Sequence, residues 1–127
     1  MTIGRSAEDY LEAILMIHER QGYVRSTDVA EQLGISKPSV SNATKRLRES
    51  EYLTTDPAGM LVLTASGMEI ASQIYARHRA LTDFFIRIGV SPEQAREDAC
   101  KIEHDLSKES YEQIKEITLH KQADSIG

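Results

Sequence analysis

Apolar residues recur at helical spacing from near the start of the chain. Leu11, Ile14 and Leu15, continued by His18, fall at i, i+3, i+4 and i+7. This predicts a helix over residues 6–20, capped by Ser6 with Asp9 three residues on, close to a capping box, and ended by Gln21-Gly22. A second short helix has Thr27 or Ser26 as its cap and Val29, Ala30 and Leu33 facing inward; Gly34 breaks it at the usual C′ position. Ser36 caps a third helix with Pro38 in its first turn, where a missing N–H is harmless. Its buried stripe is Val40, Ala43 and Leu47, and its outer face carries Lys37, Ser39, Ser41, Asn42, Lys45 and Arg46.

The period then changes. Tyr52-Leu53-Thr54-Thr55 and Met60-Leu61-Val62-Leu63 flank Asp56-Pro57-Ala58-Gly59, which predicts a β-hairpin. Thr64 or Ser66 opens a long helix through residue 88, with Met68, Ala71, Ile74, Tyr75, His78, Leu81, Phe85 and Ile88 along one face and Gly89 as its stop. Ser91-Pro92-Glu93 starts another, striped by Ala95, Ala99, Ile102 and Leu106. Ser107 caps a last helix that aligns Tyr111, Ile114 and Thr118, and the polar stretch from His120 is expected to fray. The fold class is therefore mainly α with a small β-hairpin wing. A winged helix-turn-helix domain over residues 1–64 precedes a helical domain over residues 65–127.

Charge placement refines this picture. The chain has 127 residues and a net charge of −5. Between Ile35 and Arg48 it carries Lys37, Lys45, Arg46 and Arg48 and no acid, whereas residues 93–116 hold four bases against eight acids. Local fields set nucleic-acid affinity, so an acidic protein can bind DNA through one basic face. A helix entering the major groove needs short polar side chains near its N-terminus to reach base edges, and cations to meet phosphates. Ser36, Lys37, Pro38, Ser39, Ser41, Asn42, Lys45 and Arg46 supply both. The competing reading is a solvated helix face. The wing tip carries Asp56 and no Lys or Arg, so it is expected to add little phosphate attraction.

Some classes of function are excluded. One cysteine rules out an intramolecular disulfide framework and a cysteine-based structural zinc site. The longest apolar runs, such as Ala13 to Ile17, fall far short of the ~20 residues of a membrane span. No basic segment leads into an apolar one at the N-terminus, so no signal peptide is expected. A single thiol without an export signal points to the cytoplasm.

Ligand-type residues gather on three helices. Asp9 and Glu12 are i, i+3 on the first helix; Cys100, Glu103 and His104 are i, i+3, i+4 on one helical face; His78 lies on the stripe of the long helix. Carboxylate, imidazole and thiolate bind first-row divalent metals. Each also has a plainer reading. Asp9 suits a helix dipole, Glu103-His104 a surface pair, Cys100 a small buried hydrophobe, and His78 a satisfied core histidine. A metalloenzyme reading lacks a spare proton-transfer group.

Several segments resemble the diphtheria-toxin-repressor family, and most closely its short branch, the manganese transport regulators. They are Glu8-Asp9-Tyr10-Leu11-Glu12, Asp28-Val29-Ala30-Glu31-Gln32-Leu33, Lys37-Pro38-Ser39-Val40-Ser41, Leu61-Val62-Leu63-Thr64, Arg77-His78-Arg79 and Ile102-Glu103-His104-Asp105-Leu106. The resemblance covers residues 3–119. It implies a homodimeric, cytoplasmic repressor activated by Fe²⁺ or Mn²⁺, with Zn²⁺ or Co²⁺ able to bind in vitro. Double-stranded DNA with a palindromic operator would be the partner, with no membrane and no enzymatic activity. Asp9, Glu12, His78, Glu103 and His104 match metal ligands of the manganese branch. That branch has glutamate where Cys100 stands, and the iron branch has cysteine there but methionine at the position of Asp9. The metal site, which includes Cys100, is thus a hybrid of the two. Thr82 and Arg96 stand where the iron branch has Glu and His, so its ancillary site is expected to be lost, as is an SH3-like third domain. Ligands drawn from both domains would let a cation select the DNA-binding arrangement. The alternative is a metal-independent winged-helix regulator sensing a small organic ligand.

Overall fold

Among the described residues of the computed structural model, six helices and one hairpin follow each other in the order α1 (Arg5–Gln21), α2 (Ser26–Leu33), α3 (Lys37–Glu49), β1 (Leu53–Thr55), β2 (Leu61–Leu63), α4 (Ala65–Arg87), α5 (Pro92–Ile102) and α6 (Lys108–Ile126). The structure describes residues 4–126, with side chains at 4 and 6–118. The described residues form two compact units divided inside α4, between Gln73 and Ile74.

In the first unit α1 packs against α2, α3 and β2. Leu11, Ile14, Ile17, Val24, Val29 and Val40 are essentially out of water. Truncating any of the larger ones to alanine would cost about 2–5 kcal/mol. Gly34 ends α2 in the left-handed region at φ 67°, and the Ile35 N–H then donates to the Ala30 carbonyl at 3.1 Å. A tight turn of this kind favours glycine, and it sets α3 off from α2 as a helix-turn-helix. Ser36 caps α3 by accepting from the Ser39 N–H, and Val40, Ala43 and Leu47 are buried as the period requires, together with Thr44.

The hairpin pairs Leu53 with Leu63, Thr54 with Val62 and Thr55 with Leu61. Its turn is held by Asp56, whose Oδ1 accepts from the N–H groups of Ala58 and Met60, both at 2.9 Å. The wing is tied back to the unit at two places. The Leu61 N–H donates to the Val24 carbonyl at 2.8 Å. Thr64 Oγ1 donates to the Glu51 carbonyl at 2.7 Å and accepts from the Gly67 N–H at 3.2 Å, which also caps α4. Gly67 packs so closely that a Cβ there would overlap the Tyr52 carbonyl.

In the second unit Ile74, Leu81, Ala95, Ala99, Tyr111 and Thr118 are buried. Ser91 caps α5 and the Ser107 hydroxyl accepts from the Ser110 N–H at the start of α6.

Four local expectations are corrected. The N-cap of α1 is Gly4 in extended backbone, so Ser6 lies inside the first turn. Arg25 precedes α2 in place of Thr27 or Ser26, because Asp28 Oδ2 reaches back to the Arg25 N–H at 3.0 Å. Met68 and Ile88, assigned to the buried face of α4, are exposed, Ile88 by 57%. The backbone of α6 continues to Ile126, past the predicted fraying point at His120.

Candidate metal centre and DNA-binding helix

The outer face of α3 is as expected. Ser36, Lys37, Pro38, Ser39, Ser41, Asn42, Lys45 and Arg46 are all exposed. The Ser36 and Ser39 hydroxyls lie 2.9 Å apart, so the cap residue also orients the first candidate base-contacting side chain. Asp56 at the wing tip spends its carboxylate on the turn, which gives this departure from a basic wing a structural role.

On α1, Glu12 is buried at 6% exposure and Asp9 is half-buried. Burying a carboxylate is costly unless something compensates its charge. The same question is sharper in the second unit. Glu103 closes α5 as its C-cap with helical dihedrals, and it is wholly buried. His78 Nδ1 lies 2.9 Å from Glu103 Oε2. A carboxylate can only accept, so the ring nitrogen carries the proton in this contact. On the other side His104 Nε2 stands 3.4 Å from Glu103 Oε1, without hydrogen-bond geometry, and its side chain is 2% exposed. A buried carboxylate thus has an imidazole nitrogen at each oxygen. This donor set of oxygen and imidazole nitrogen fits a first-row divalent cation.

Cys100 occupies a different environment. It is exposed on α5, so its reading as a small buried hydrophobe fails. The helix ends at Ile102, and His104 follows in the turn, so Cys100, Glu103 and His104 do not share one continuous helix. Thr82 donates its hydroxyl to the His78 carbonyl of its own helix at 2.7 Å, and Arg96 is exposed.

One contributor escaped sequence reasoning. Arg77 Nη1 donates to the carbonyls of Glu103, at 3.2 Å, and Leu106, at 2.7 Å. Arg77 lies in the segment Arg77-His78-Arg79 that carries part of the resemblance, but nothing local assigns it this role, because its partners are 26 and 29 positions away.

Two family profiles match the chain. "Iron dependent repressor, N-terminal DNA binding domain" matches residues 2–61, and "Iron dependent repressor, metal binding and dimerisation domain" matches residues 64–127. The chain belongs to the iron dependent repressor family. It is a metal-dependent DNA-binding transcriptional regulator with a dimerisation domain, and not an enzyme. HTH-type transcriptional regulator MntR of Bacillus subtilis (strain 168) is 37% identical over 119 residues, which is 94% of this chain and 84% of that protein. MntR of Geobacillus kaustophilus (strain HTA426) is similar to the same degree over the same length. Among solved structures, IdeR of T. acidophilum has a TM-score of 0.79 and 26% identity over 91% of this chain. The manganese regulator SloR has a TM-score of 0.76 and 28% identity over 92%. The chain spans about half the length of these two solved chains, 54% in each case. Repressors of this family act with Mn²⁺ or Fe²⁺, which agrees with the donors around Glu103. No helix among the described residues is long and apolar enough to cross a membrane.

Proposed function

We propose that this chain is a cytoplasmic repressor, activated by Fe²⁺ or Mn²⁺, that binds a palindromic operator as a homodimer. Residues 1–64 form its DNA-binding domain and residues 65–127 its metal-binding and dimerisation domain. Asp9, Glu12, His78, Cys100, Glu103 and His104 supply the metal ligands. Ser36, Lys37, Pro38, Ser39, Ser41, Asn42, Lys45 and Arg46 meet DNA, with Lys45 and Arg46 on phosphates and Ser39 and Asn42 towards base edges.

The observation that carries the reading is the burial of Glu103 with an imidazole at each carboxylate oxygen. A structural ion pair has no need of a second histidine, whereas a divalent cation gains from every added donor. Bound metal supplies positive charge that offsets the carboxylates. The imidazole nitrogen that ligates must be free of its proton. A two-fold symmetric dimer presents two α3 helices and therefore reads an inverted repeat. Metal and operator binding are coupled, and the coupling is reciprocal: DNA tightens metal by the factor by which metal tightens DNA.

The test is a gel shift on a palindromic site with the anaerobically purified chain. Binding should vanish with chelator and return with Fe²⁺ or Mn²⁺. Binding indifferent to chelator would favour a regulator that senses an organic ligand.

A further inference from the structure

Arg77 stands immediately before His78 on α4, and its side chain is spent on backbone. The Nη1 group bridges two carbonyls, that of Glu103 at 3.2 Å and that of Leu106 at 2.7 Å. These carbonyls lie at and just beyond the C-terminus of α5, where the last helical carbonyls lack intrahelical partners. A cation is favoured there by the helix dipole. The guanidinium also lies over the ring of Tyr111, 5.0 Å from its centroid, in the first turn of α6. One side chain therefore joins α4, the turn after α5 and the start of α6, all within the second unit. The turn it holds contains Glu103 and His104.

We propose that Arg77 is a positioning residue of the metal centre. It fixes the backbone of residues 103–106, and with it the Glu103 carboxylate and the His104 imidazole, against His78 on its own helix. The inference rests on the metal-centre reading above. Metal–ligand distances tolerate about 0.2 Å, so a small drift of this turn opens the donor set even though no ligand is lost. Lysine cannot replace the arrangement. It can donate to both carbonyls from one nitrogen, but it lacks the planar guanidinium that stacks on Tyr111 while doing so.

The experiment uses the full chain and three readouts: calorimetric titration with Mn²⁺ and with Co²⁺, the visible absorption spectrum of the Co²⁺ form, and thermal unfolding without metal. Arg77→Met keeps the apolar stem and removes the donors. It should lose about 10–100-fold in metal affinity, the range for groups that orient ligands without touching the metal. Its Co²⁺ spectrum should change as the donor geometry relaxes. Arg77→Lys should lose less and keep the metal-free unfolding temperature of the wild type. Should Arg77→Met fail to fold, Arg77→Lys decides, with at least a threefold loss of affinity expected. Tyr111→Leu should weaken metal binding in the same direction. Wild-type affinity and an unchanged Co²⁺ spectrum in Arg77→Lys, and in Arg77→Met where it folds, would overturn the positioning role alone. A wild-type chain that takes up neither metal would overturn the metal-centre reading beneath it.

Discussion

His78 Nδ1 and Glu103 Oε2 are 2.9 Å apart, although 25 residues separate them in the chain. The carboxylate in this pair is wholly buried, and its other oxygen faces His104. Such a group is expensive to desolvate, and the second unit retains it where an apolar residue would pack more cheaply. That retention is the physical argument for a ligand over a fold-stabilising pair.

Glu103→Gln separates the two roles. Removing the charge should lower metal affinity by about a hundredfold or more, since even groups that only orient a ligand are worth 10–100-fold. The metal-free protein should not be destabilised, because the amide no longer carries a buried charge. Calorimetric metal titration beside thermal unfolding in chelator checks both. A large loss of stability with metal binding intact would mark the pair as structural.

Much of this was legible because it is local. Gly22, Gly34, Ser36 and Ser107 act through hydrogen bonds within a few residues, and each helix end or cap they predict is found. Where a neighbour competes, local reading fails. Asp28 outbids Ser26 and Thr27 because its carboxylate reaches the Arg25 N–H from the third helical position. Periodicity assigned Met68 and Ile88 to a buried stripe near the ends of α4, where burial depends on what packs nearby. Spacing could nominate His78, Glu103 and His104 as ligands. It could not reveal Arg77, whose partners are two backbone carbonyls far along the chain.

Asp28 gives the first unit an acid-sensitive element. The Arg25 backbone N–H holds its carboxyl below the ordinary value of 3.8, aided by the Arg25 guanidinium and the Gln21 amide and opposed by partial desolvation. A carboxyl with a lower value in the folded state contributes stability above its unfolded value and loses it as pH falls through the folded one. Asp28→Asn should therefore be less stable than wild type at pH 7, by about 1 kcal/mol. The gap should stay constant down to about pH 5 and close below 3.8. Urea unfolding across this range measures it, and a gap that does not narrow at all as pH falls below 3.8 would count against the assignment.

Gly67 tests how the wing is anchored. A methyl group there meets the Tyr52 carbonyl, which is backbone and cannot swing aside. Gly67→Ala should cost about 2 kcal/mol or more, and the first turn of α4 should lose amide-exchange protection together with the hairpin. The same substitution at Gly4, which meets nothing nearby, should cost far less, and equal costs at the two positions would refute the argument.

Arg46 is exposed on α3, and we assign it to phosphate. Arg46→Ala should weaken binding on every DNA sequence and flatten the salt dependence by about one unit of slope. Changes at Ser39 or Asn42 should instead alter base preference. Fluorescence anisotropy at several salt concentrations, on specific and scrambled duplexes, distinguishes them. An unchanged slope in Arg46→Ala would mean that α3 meets DNA differently.

Cys100 is where the chain departs from the manganese branch it resembles, and its exposure on α5 makes the departure testable. A thiolate is softer than carboxylate and gains more from Fe²⁺, Co²⁺ and Zn²⁺, which also stand above Mn²⁺ in the Irving–Williams order. In the proposed ligand set, Asp9 and Glu12 would offer oxygen and pull towards Mn²⁺. On affinity alone the thiolate should win, giving an iron-type response with manganese close behind. An exposed thiolate is also oxidisable, so the metal response should fade in air. Cys100→Glu should shift relative affinity towards Mn²⁺ and abolish the air sensitivity. Both effects are read by competitive metal titration and by gel shifts before and after peroxide. If the variant keeps the parent's order of metal preference, Cys100 lies outside the donor set, and His78, Glu103 and His104 must bind metal without sulfur.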